Sequence, residues 1–220
     1  VTTLYKLTTA DDTTYGDMAW GEGVEHTAPG GGELCTSAWL HAYRDPVLAV
    51  MMDPAQGNFG VTAHLWECDG DVGIDDGTKV GCTRLRTLHR IDLPAVTTEQ
   101  RVRFGIRCAR YVYSNPAWIV WADAWESGVD RSYKAANAAN AAANAAVNAA
   151  YAAANAAYAA NAAYAAEATA NAAEAAANAA EAAANSRAAG SPINIVAIVH
   201  SVVEEVRSEE GVFRDDEKHG

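Results

Sequence analysis

Two cysteines and two histidines stand close enough along the chain to suggest a metal: Cys35 with His41, then His64 with Cys68. Thiolate and imidazole are the ligands that a tetrahedral zinc ion takes. The pairs read Cys-x5-His and His-x3-Cys, whereas common zinc modules hold their ligands in tighter pairs. The favoured reading is therefore buried thiols and hydrogen-bonded histidines, with no metal expected and this quartet as the candidate set. A second cluster, Asp69, Asp71, Asp75 and Asp76, surrounds the stretch Asp69-Gly70-Asp71-Val72-Gly73. Such carboxylates could hold calcium, but the spaced terminal Glu of an EF-hand loop is missing. A solvated hairpin turn is expected there. No phosphate loop, nucleophile elbow, HExxH or paired zinc knuckle occurs, and no cofactor is expected.

The elements that must position these side chains belong to an α+β head over residues 1–130. Leu4 to Leu7 and Thr62 to Cys68 read as short strands, and Val80 to Leu93 as one strand or a hairpin arm. Asp45-Pro46 starts a short helix through Met52, with Asp53-Pro54 as its expected stop. Thr97-Thr98-Glu99-Gln100 offers a capping box for a helix to about Tyr113. Asn115-Pro116 starts another, with Trp118, Trp121 and Trp125 at helical spacing, which favours a core or docking role over a ligand platform. All four cysteines stand singly, so reduced, buried thiols are expected rather than a disulfide framework.

Residues 131–190 are different in kind. From Ala135 to Ala184, 34 of 50 residues are alanine, with no Gly and no Pro. Alanine is the strongest helix former, so the segment reads as one long helix of about 75 Å. Its exceptions recur at steps of three or four. Asn144, Tyr151 and Tyr158 keep heptad spacing; Asn161 and Tyr164 follow at steps of three; Asn171 and Asn178 alternate with Glu167, Glu174 and Glu181. Such a stripe suits a coiled coil or helical bundle. Either the alanine faces meet and the stripe faces water, or Tyr and Asn interdigitate at the seam. Residues 191–220 form a short amphipathic helix with a charged tail, and Ile195, Val199 and Val202 lie on its apolar stripe. That stripe could fold back on the long helix, join an oligomer seam or engage a partner.

The chain has a net charge of -12 and a pI near 4.8, which disfavours nucleic acid and anionic lipid as partners. The asparagines within the alanine run would be costly in hydrocarbon, so no membrane span is expected. Thr2, Thr3 and Lys6 interrupt any apolar run at the start, and a cytoplasmic protein without a secretory leader is expected.

Three stretches carry a family resemblance: Glu33-Leu34-Cys35, Trp39-Leu40-His41-Ala42-Tyr43 and Asp45-Pro46-Val47-Leu48-Ala49. They resemble a family common in phages and prophages, whose small N-terminal domain carries an "LC…G-[FLI]-HA-x-x-x-P" pattern. Leu65-Trp66-Glu67-Cys68-Asp69-Gly70-Asp71 and Lys79-Val80-Gly81-Cys82 are similar to the strands that follow it. Many relatives then carry an alanine-rich repetitive tail. The chain departs in having Ala38 where relatives often have Gly, and Asn where tails often have charge. The resemblance implies a phage-associated origin in a bacterial host rather than a reaction.

The leading expectation is a structural or interaction protein that self-assembles through its alanine-rich helix, with itself as the main partner. Leu4-Tyr5-Lys6-Leu7 followed by Leu40-His41-Ala42-Tyr43 is also similar to ADP-ribosyltransferase-like domains. That resemblance makes His41, Tyr43 and Glu67 the candidate residues of an NAD-binding cleft. A third expectation is a counter-defence factor whose acidic head binds a host protein.

Overall fold

The computed structural model describes residues 3–57, 59–60, 62–111, 116–132, 134–135 and 194–216. In chain order its elements are β1 (Leu4–Thr8), β2 (Thr13–Thr14), β3 (Met18–Ala19), β4 (Glu25–Thr27), β5 (Leu40–Ala42), α1 (Pro46–Gln56), β6 (His64–Asp75), β7 (Val80–Ile91), α2 (Thr98–Arg110), α3 (Pro116–Glu126) and α4 (Ile195–Asp216). The architecture is a sheet-rich N-terminal region with helices, an α+β arrangement. It divides into two compact units, residues 1–95 and 96–220, so the boundary falls inside the segment read from sequence as one head.

The sheet unit is organised by β6 and β7, which pair antiparallel along most of their length. Their turn is fixed by Asp76, whose carboxylate accepts the N–H groups of Thr78 at 2.7 Å and Lys79 at 2.9 Å. The stretch from Asp69 to Gly73, expected to be a hairpin turn, therefore lies within a strand. Its carboxylates are held by arginines across the sheet. Arg84 reaches Asp69 at 2.6 Å and Asp71 at 3.0 Å, and Arg44 reaches Asp75 at 2.8 Å. Its glycines make room instead of turning the chain. A Cβ on Gly70 would lie 2.7 Å from the Arg84 carbonyl, and one on Gly73 would lie 2.4 Å from the Trp39 ring.

β1 pairs with the other edge of β6, while β5 and β4 take successive parts of β7. Just past β5, Tyr43 exchanges two backbone hydrogen bonds with Tyr5 of β1, both 2.8 Å. The ring β1–β6–β7–β5 thus closes on itself. Register shifts along the β6–β7 ladder supply the bending that closure needs. Leu4, Leu40, Ala42, Trp66, Cys68, Val80, Cys82 and Leu85 fill the inside, joined by Trp20. Helix α1 packs on β1. Asp45 caps it by accepting the Leu48 N–H at 2.8 Å. Contrary to the expected stop at Asp53-Pro54, α1 runs to Gln56. Asp53 does its capping further on, accepting the N–H groups of Phe59 and Gly60 at 3.1 Å each, while the Gly57 N–H returns to its carbonyl.

The helical unit starts from the capping box read in the sequence. The Thr97 hydroxyl accepts the Gln100 N–H at 3.2 Å, and the Gln100 amide oxygen accepts the Thr97 N–H at 2.7 Å. Thr97→Ala is expected to lower the stability of this unit by about 1 kcal/mol in a denaturant titration. Helix α2 ends at Arg110, short of the expected Tyr113, as the Tyr111 N–H tightens onto the Cys108 carbonyl. On α3, Trp118, Trp121 and Trp125 are buried, as core residues. Helix α4 packs on α2, and the Gln100 side chain donates to the Val203 carbonyl. Arginines of α2 stitch the unit together. Arg103 pairs with Glu99 and Glu205, Arg107 with Glu126 and Glu205, and Arg110 with Asp123 and Glu126. Burial raises the Glu99 carboxyl, but bonds from Arg103 and Arg131 outweigh it and hold the group below its ordinary range. Among the described residues no helix is long and apolar enough to cross a membrane.

Candidate functional site

Strand alternation sends residues 4, 6 and 8 to one face of β1. Leu4 and Thr8 suit the interior, and Lys6 goes in with them. Its side chain is enclosed, with the residue 6% exposed. The Lys6 Nζ donates to the His41 carbonyl at 3.1 Å and lies 4.4 Å from the centre of the Trp20 ring. No carboxylate among the described residues lies within ion-pairing distance of it. Desolvation therefore brings the ammonium down to about 8, against weaker opposing effects of the Cys68 and Cys82 thiols. The same burial pushes Cys68 up to about 12 and Cys82 up to about 11, although the Lys6 charge works against both shifts. These thiols stay protonated at neutral pH and are poor nucleophiles. Of the three groups, the amine is the one with usable chemistry.

Trp20 covers Lys6 and is carried by the β2–β3 hairpin. Its indole N–H donates to the Thr14 hydroxyl at 2.9 Å, and its backbone N–H to the Asp12 carbonyl at 2.7 Å. His26 sets an edge against the indole, with centroids 4.6 Å apart. Asp12, just before β2, and Asp17, in the turn between β2 and β3, both sit at φ 57°, in the left-handed region that costs non-glycine residues energy.

Beside this cover stands a polar clasp. Arg90 is 3.0 Å from Asp12 and donates to His64 Nε2 at 3.2 Å. A guanidinium only donates, so Nε2 accepts, and Nδ1 carries the proton that goes to Asp12 at 2.7 Å. Arg90 also lies over Trp66, whose indole donates to Thr8. The clasp ties the loop after β1 to β6 and β7. It resembles an acid–base dyad in parts, but both histidine nitrogens are engaged.

The residues singled out from the sequence are scattered by the fold. Cys35 is exposed, contrary to the expected burial, while Cys68 faces the interior and His64 belongs to the clasp. Among the described residues no group of three or more His, Cys, Asp or Glu side chains is placed to hold a metal ion. His41 donates from Nε2 to the Leu34 carbonyl at 2.6 Å, and burial holds its imidazole below the ordinary value against that bond. Tyr43 is buried, which raises its hydroxyl. Glu67 lies across from Tyr5 on β1 and 3.8 Å from His89. Tyr43, Tyr5 and Glu67 thus fall in one row on the outer face of the sheet, and Lys6 is on the inner one. Ile195, Val199 and Val202, whose stripe could fold back, join an oligomer seam or engage a partner, are buried on the helix that packs against α2. Asn144, Tyr151, Tyr158, Asn161, Tyr164, Asn171 and Asn178 lie outside the described residues.

Sequence reasoning missed Lys6 as a site. The signal was available in the alternation of Leu4, Lys6 and Thr8, where one face of a strand carries a lone cation. Comparison of the chain with protein-family models, curated proteins and solved structures gave no match.

Proposed function

We propose that this chain is a phage-associated structural or interaction protein of the host cytoplasm, which assembles copies of itself through its alanine-rich segment and displays the sheet unit on the assembly. The observation that carries this reading is the heptad-spaced Asn/Tyr/Glu stripe in a run of nearly chargeless alanine. The folded units support it in two ways. The apolar stripe of α4 is used within its own chain, which leaves self-association to the alanine segment. His41, Tyr43 and Glu67 each serve a local contact, so the candidate residues of an NAD cleft have structural occupations.

Sedimentation velocity on the full chain tests the proposal. A particle of two or more chains is expected at tens of micromolar, and glutamates placed along both the alanine faces and the stripe should return it to a single chain. A species of 23.1 kDa at every concentration would refute self-assembly.

A further inference from the structure

The inside of a small barrel is normally filled by apolar side chains, and Lys6 breaks that pattern. Its ammonium can donate three hydrogen bonds, and one acceptor is in place, the His41 carbonyl. The face of Trp20 supplies the other stabilising contact. A methionine would fill similar space without leaving donors short, so packing alone does not account for an amine here.

We propose that Lys6 is a masked amine nucleophile that, when the indole of Trp20 swings aside, condenses with a small aldehyde or ketone to form an imine. The cover is light. It rests on two strands of two residues each, the Trp20 ring is held by one hydrogen bond to Thr14 and by the edge of His26, and left-handed aspartates stand just before the hairpin (Asp12) and in its turn (Asp17). The surroundings select an uncharged ligand. Leu4, Leu40, Ala42 and Leu85 offer no donors to an anion, which would have to shed its water on entry. A carbonyl compound enters at lower cost, and the neutral imine removes a buried charge.

In the reaction the Nζ lone pair attacks the carbonyl carbon. The carbinolamine then loses its oxygen as water, and C=N replaces C=O with no net oxidation. This needs the neutral amine. At pH 8 an amine held near 8 is about half neutral, against roughly 0.3% for an ordinary lysine.

Butyraldehyde with cyanoborohydride tests the proposal on the full chain. The reagent delivers hydride to the imine carbon while a proton goes to nitrogen, and peptide mass spectrometry reads each lysine separately. The rate at Lys6 is expected to level off above about pH 8, whereas the rate at the lysine of a short unstructured peptide in the same mixture keeps rising toward about pH 10. Thr14→Val, which removes the partner of the Trp20 indole, should speed labelling of Lys6 roughly fivefold at unchanged Lys134 labelling. The proposal is overturned if Lys6 stays unlabelled in both proteins, or if both label it at the same rate. It is equally overturned if Lys6 follows the pH profile of the unstructured peptide, which is what unfolding would produce.

Discussion

Lys6→Met stabilises the sheet unit at pH 7 by on the order of 3 kcal/mol, the free energy equivalent to lowering an amine from 10.5 to about 8. The sign follows from linkage. The folded-state value lies below the unfolded one, so between about 8 and 10.5 the unfolded chain binds more protons than the folded one. Stability contributed by this group therefore rises with pH across that window, and the penalty is present in full below it. Methionine keeps a similar length in the same space and carries no charge to desolvate. Thermal melts of the two proteins should differ by on the order of 10 °C at pH 7 and converge as the pH approaches 10.5. A variant less stable than the parent at pH 7 would show that the contacts of the ammonium with the His41 carbonyl and Trp20 outweigh its burial.

In the helical unit the largest loss is expected from Trp118→Ala. Trp118 is 0% exposed and packs with Trp121 at 5.9 Å between ring centroids. Removing so large a buried side chain leaves a void that the neighbouring helices close only in part. The cost is about 3–5 kcal/mol. Because the chain divides into two units, the effect should be confined. The far-UV helical signal is expected to melt earlier, while the transition of residues 1–95 stays in place. A common shift of both transitions would mean that the two units unfold as one.

How much of this was readable in the sequence depends on the range of the interaction involved. Helix starts were legible at Asp45-Pro46, at Thr97 and at Pro116, because a cap is a bond between near neighbours. Strand β6 was read too short, since Gly70 and Gly73 look like turn punctuation. Their actual role is to admit Leu85 and Trp39, partners distant in the chain. β4 and β5 span three residues each, too few to show any alternation, and their pairing with β7 is a long-range fact. The stripe of α4 was legible as amphipathic, but its partner was not, because a pattern of valines does not say which helix will cover it. Lys6 lay between these cases. Its side of the strand was given by period two, while the fact that no carboxylate among the described residues pairs with it became visible only when the barrel closed around it.

The meeting of Tyr43 with Tyr5 has a consequence for behaviour in a crowded solution. A sheet that ends in an open strand presents unpaired amides on which another polypeptide can template itself, the first step toward aggregation. Here the outer flank of β1 is met by the chain's own backbone at Tyr5 and covered by α1 nearby. On the opposite side the outermost strand is β4, three residues long and bearing Glu25, too brief and too charged to recruit a neighbour. At these two edges the sheet unit therefore offers little for the strands of another copy to join.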